Sequence, residues 1–188
     1  MKSHHLKISA LIITTALLTL FIAALSLQSA ARPIAQAMPR INVVVLPLAP
    51  ADTYIPYAVL PTSAELSELT RRLSNGVGSS QVISLSRSSI VAQALARHRY
   101  QQDSLMHSCI ESDCARQIGA AAGARVVVFG AVTRLMAVIW STEIHVVDVA
   151  SGYELGQFSA GYKGDYNSMV RGEQTLGAAA ARLIARKE

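Results

Sequence analysis

The residues best able to do chemistry are Cys109 and Cys114, the only two cysteines in the chain. Their C-x4-C spacing is not the C-x-x-C of a redox-active dithiol. His107 nearby would give a metal three ligands, but a closed zinc site needs a fourth and none is evident. An even cysteine count in an exported chain reads instead as a structural disulfide. Inside one regular helix, residues five apart would place their Cα atoms roughly 8 Å from each other on different faces. The bridge therefore requires Cys109 in a loop and Cys114 in the first turn of a helix. Closing so short a loop stabilises a fold by only about 2 kcal/mol.

Ser141, Glu143 and His145 alternate along one stretch and offer a nucleophile, a carboxylate and a base. A hydrolytic triad also needs a serine on a strained turn and an oxyanion hole, and no G-x-S-x-G elbow is present. Three polar residues two apart are the solvated face of a strand. Gly119-x3-Gly123 lacks the Gly-Lys-Ser/Thr of a phosphate loop and does not match G-x-G-x-x-G, so Gly123 reads as a helix stop. Trp140 and Phe129 lie within apolar strands and belong to the core. No catalytic residue, cofactor site or metal site emerges. Tyr54 and Tyr57, in a proline-rich stretch, are the better candidates for contacting a partner.

The elements that would hold these residues follow an export segment. Residues 1–7 are basic, 8–27 carry no charge, and Ala35-Gln36-Ala37 offers small residues to a signal peptidase. Two outcomes remain. Cleavage after Ala37 would release residues 38–188 as one periplasmic domain. Retention would leave 8–27 as an inner-membrane anchor, with Lys2 and Lys7 inside and the domain outside. From Met38 onward, 14 Lys and Arg against 12 Asp and Glu leave a net charge of only +2, with the bases scattered. That is too little for a nucleic-acid footprint.

Ile41 to Leu48 reads as a strand buried on both faces, ended by Pro47 and Pro50. Residues 49–61 form a long irregular connection. Thr62 with Glu65 matches a capping box, starting a helix to about Ser74 with Leu66, Leu69 and Leu73 on one side; Asn75, Gly76 and Gly78 stop it. A short strand, 81–85, precedes a helix over 87–99 with Ile90, Ala94 and Leu95 inward. After a polar loop, 100–108, comes a third helix, 112–122. Strands at 125–135 and 137–149 follow, the latter with Val138, Trp140, Ile144 and Val146 on its apolar face. Ser151-Gly152 turns into a hairpin partner, 153–162. A final helix spans 168–186, with Leu176, Ala180, Leu183 and Ile184 inward. The order β-α-β-α-α-β-β-β-α predicts an α/β fold with some α+β character. Its single mixed sheet is packed with helices, parallel in the first half and an antiparallel meander in the second.

Several of these stretches resemble a group of exported bacterial proteins. Cys109 to Gly119, Ala122-Gly123-Ala124 and Val126 to Val132 are similar to the pattern C-x4-C-A-x-x-I-G, L/A-G-A, V-V-x-G-x-V. Val147 to Gly152 resembles a D-V-x-T/S-G turn, and Val43 to Leu48 a V-A-V-L-P-F start. Gly164-Asp165 and Val170-Arg171-Gly172 resemble G-D and W-R-G, with valine where tryptophan is common. The wider group has the α/β domain of the TolB N-terminus, CsgG and LpoB. The resemblance covers about residues 41–186, although this chain has no lipidation cysteine. It implies a non-enzymatic periplasmic module of the cell envelope, acting by protein–protein contact or assembly, with an envelope protein or another copy of itself as partner. Asp165 and Arg171 join Tyr54 and Tyr57 as expected contacts. The alternative is a small-ligand binder or hydrolase on the polar face around Glu143 and His145, which predicts a deep pocket there.

Overall fold

The computed structural model describes residues 39–51, 59–101, 111–135 and 138–187. Its strands are β1 (Ile41–Val45), β2 (Ala49–Pro50), β3 (Ile83–Leu85), β4 (Val126–Leu135), β5 (Ile139–Asp148) and β6 (Glu154–Lys163). Its helices are α1 (Ser63–Val77), α2 (Ser88–Gln101), α3 (Ser112–Ala121) and α4 (Tyr166–Arg186). The sheet runs β3-β1-β4-β5-β6. β1 is parallel to both β3 and β4, while β4, β5 and β6 are antiparallel. The expected mixed sheet, parallel then meandering, is therefore present. Helical crossovers impose the parallel half, and the Ser151-Gly152 turn, with Gly152 at φ 71°, imposes a hairpin.

Two cores follow from the two faces. On one, α1 and α4 cover Val43, Val128, Trp140, Ile144 and Val146. On the other, α2 and α3 cover Val44, Val127, Phe129 and Val147. The second layer of helices stops over β1, β4 and the end of β5, leaving Ser141, Glu143 and His145 at an uncovered face. That is why β5 alternates in sequence where β1 does not.

Thr62 caps α1, its hydroxyl accepting from Glu65 N–H while the Glu65 carboxylate accepts from Thr62 N–H. Leu69 and Leu73 are fully buried, each worth about 2 kcal/mol relative to exposure. Gly123, at φ 67°, ends the turn after α3.

Four readings need correction. Pro50 does not end the first strand's pairing: after Pro47, Ala49–Pro50 pairs with Ala131 and Val132 of β4, at a margin that asks no N–H of Pro50. Asn75 and Gly76 do not stop α1, which continues to Val77 with Gly78 as its cap. Gly76 is instead a point of close approach: a methyl there would strike the Gln174 carbonyl of α4, and one on Gly177 would strike the Leu73 carbonyl. In α2, Val91 rather than Ile90 faces inward with Ala94, against Val44 and Val127 of the sheet. In β5, Val138 precedes the strand and is exposed, and Thr142 completes the buried face.

Candidate interaction surface

One end of the sheet gathers three separate segments. Ala51 N–H donates to the Val132 carbonyl (2.9 Å), Val59 N–H to that of Arg134 (3.0 Å) and Gly164 N–H to that of Val138 (2.9 Å). These bonds place the segment before α1, the β4–β5 hairpin and the β6–α4 junction side by side. Leu60 is 71% exposed, Val138 48%, Val59 46% and Ile139 37%. Scattered apolar residues on a surface mean little, but the backbone bonds bring these four to one end of the sheet, with Ile139 on the face opposite Trp140.

On the face that α1 and α4 cover, this end is tied together by side-chain contacts. The Arg134 guanidinium lies 4.5 Å from the Trp140 ring centroid and its Nη1 is 3.3 Å from Glu65 Oε1. Tyr166 stands 5.7 Å from Trp140, and its hydroxyl donates to the Glu65 carbonyl at 3.2 Å. Burial, with the negative charges of Glu65 and Glu68, raises the Tyr166 phenol above its usual range.

Asp165 and Arg171 adjoin this end. Asp165 caps α4, its Oδ1 accepting from the Ser168 N–H and hydroxyl, each at 2.9 Å. Those bonds, the backbone one foremost, hold its carboxyl below the usual range. Arg171 is exposed and donates to Ser168 Oγ at 3.2 Å. Tyr54, Tyr57, His107 and Cys109 lie outside the described residues. Cys114 occupies the first turn of α3, with its Sγ 3.3 Å from His98 Nε2.

Glu143 and His145 are close, and neither lines the cavities described below; the 102–110 part of the loop expected to complete a pocket beside them lies outside the described residues. His145 Nε2 is 3.2 Å from Glu143 and Nδ1 is 3.1 Å from Glu154, so both ring nitrogens are engaged. The ring stacks on Phe129 at 5.1 Å, and Gln157 donates to Glu143. Cavities lie elsewhere. One, of about 440 Å3, is lined by Arg125, Asp148, Tyr153 and Lys187. Another, of about 390 Å3, lies between α1 and α2 over Val45, Pro47 and Leu85. Among the described residues no cluster of His, Cys, Asp and Glu is arranged to hold a metal, and no helix is long and apolar enough to cross a membrane.

A buried carboxyl escaped the sequence reading. Glu173 of α4 is 0% exposed and accepts the Thr142 hydroxyl at 2.5 Å, while its Oε2 has no partner among the described residues. Burial pushes its pKa up to about 7, against the opposing pull of Thr142. The same burial, with the Glu173 charge beside it, pushes Tyr162 of β6 up to about 12. The signal was present: Met169, Glu173, Leu176, Ala180 and Ile184 form one helical stripe, and Glu173 is its only charged member.

No protein-family profile matches the chain, and no curated protein does. Solved structures do, and they include LpoB and TolB. The LpoB C-terminal domain from Salmonella enterica is similar over 73% of this chain and 91% of its own, at 14% identity and TM-score 0.47. Lipoprotein GNA1162 from Neisseria meningitidis is similar over 77% and 96%, at 16% identity and TM-score 0.45. TolB from Acinetobacter baumannii is similar over 78% of this chain and 28% of its own, at 13% identity and TM-score 0.43. These are likenesses of α/β fold, and no property of those proteins passes to this one through them.

Proposed function

We propose that the chain is an exported, non-catalytic module of the bacterial cell envelope that docks another envelope protein through the Val59, Leu60, Val138 and Ile139 end of its sheet. The exposure of these four side chains at one end of the sheet, beside the Arg134, Trp140 and Tyr166 cluster, carries the reading. The residues that could do chemistry support it from the other side, since Glu143 and His145 lie on an open face with their polar atoms satisfied by neighbours. Residues 1–37 act as signal or anchor, and 38–188 form the periplasmic domain. In that compartment Cys109 and Cys114 pair. Asp165 and Arg171 border the contact, and Tyr54 and Tyr57 are proposed as further contacts.

Site-specific photo-crosslinking in intact producing cells tests this. A crosslinker at Leu60 and one at Val138 are expected to trap the same envelope protein, identified by mass spectrometry. A crosslinker at Gln117, exposed on α3, is expected not to trap it. Absence of a shared adduct at the first two positions would overturn the reading. N-terminal sequencing of the mature chain decides between cleavage after Ala37 and retention.

A further inference from the structure

β6 is the last strand of the sheet among the described residues. Gly164 N–H donates to Val138, and the pairs from Ile139↔Lys163 to Glu143↔Ser159 continue that register. Antiparallel bonding alternates along a strand. The N–H and C=O groups of Gln157, Ser159, Gly161 and Lys163 therefore point away from β5. Proteins guard such an edge with short length, proline or a central lysine. β6 is ten residues long, and from Leu155 to Tyr162 it holds neither charge nor proline. Its one irregularity lies opposite Val146 and Val147 and leaves 157–163 regular.

α4 lies over this strand, with Leu183 against Gly156 and Gly172 against the Tyr162 ring, while Gly177 faces α1. At 3.6 residues per turn, the flank turned away from α1 carries Gly172, Thr175 and Ala179, small and uncharged, and continues toward its C-terminal end into the exposed Arg182 and Arg186. Charge sits at the two ends of β6. Glu154 begins it and Lys163 ends it, both on the sheet face opposite α4, where Glu154 meets His145 and Lys163 pairs with Ile139.

We propose that β6 pairs antiparallel with β6 of a second copy about a twofold axis at Ser159, joining the two sheets. That register sets Gln157 against Gly161 and Phe158 against Ala160. Lys163 of each copy falls opposite Leu155, beside Glu154 of the other. Parallel pairing would set like charges together, so the end charges select the antiparallel arrangement. Above the joined edges the two α4 helices meet near Thr175 and Ala179, where small side chains permit close approach. The contact is isologous and closes as a dimer. It uses the free edge of β6 rather than the four docking side chains, and adjoins them only where Lys163 pairs with Ile139.

The test is sedimentation equilibrium of the full chain as recovered from the producing cell, in mild detergent if it stays with the membrane. The wild type is expected to dimerise. Gly161→Lys, at a position where an added side chain meets nothing closer than the Trp140 carbonyl at 4.0 Å, is expected to keep its circular dichroism and raise the dimer Kd at least about tenfold. Lys163→Glu raises it about tenfold, and adding Glu154→Lys restores it to within about twofold. A wild type monomeric at about 100 μM, a Gly161→Lys variant dimerising like wild type, or a charge exchange that recovers nothing would overturn the proposal. The Leu60 and Val138 crosslinks persist in Gly161→Lys if the docking reading holds, so each proposal can fail alone.

Discussion

Replacing Glu173 by glutamine removes a titratable group from the interior while keeping an oxygen for the Thr142 hydroxyl. In the folded chain the carboxyl is pushed up to about 7 from an ordinary value of 4.5. Below pH 4.5 folded and unfolded chains both hold the proton. Between 4.5 and 7 the unfolded chain releases it and the folded chain does not, so stability falls as pH rises through this window and then levels off. The difference in pKa corresponds to about 3 kcal/mol. Urea unfolding followed by the fluorescence of Trp140, the chain's single tryptophan and two residues from Thr142, reads this directly. At pH 4.5 the wild type and Glu173→Gln are expected to agree within about 0.5 kcal/mol, and at pH 8 the variant to exceed the wild type by up to about 3 kcal/mol. Groups common to both cancel in the comparison. Parallel pH profiles from 4.5 to 8, or a variant less stable at pH 8, would refute the reasoning.

Gly177→Ala forces a methyl against the Leu73 carbonyl and is expected to cost about 3 kcal/mol in the same assay. Asp165→Ala removes the cap of α4 and is expected to lower the melting temperature at pH 7. Because the Asp165 carboxyl is held low, its benefit is present at neutral pH, and the gap closes as pH falls through the folded value. Replacing Cys109 and Cys114 by serine is expected to cost about 2 kcal/mol, a difference that disappears when the wild type is measured under reducing conditions.

Local signals were legible where one face or one turn decided the outcome. The alternation in β5, the Thr62 and Glu65 box and Gly123 as a stop all follow from nearest neighbours along the chain. What escaped depends on segments distant in sequence. Gly76 looks like a terminator, because only the presence of Gly177 turns it into a seat for another helix. Glu173 was passed over because its burial is imposed by β5 and β6 rather than by its own helix. The gathering of Val59 and Leu60 with Val138 and Ile139 likewise arises when the chain returns to the same end of the sheet from residues far apart. The expected contacts at Asp165 and Arg171 adjoin that end, although Asp165 has a capping role that the sequence motif did not convey.

The seat between Gly76 and Gly177 joins positions about 100 residues apart, so the cover of the larger core stays incomplete until the last helix exists. A polypeptide synthesised from its amino end has only α1 to cover Val43, Trp140 and Ile144 until its final twenty or so residues have emerged. Under the export proposed above, a fold whose closing piece comes last stays open until synthesis is complete, which is the state a translocation pore accepts.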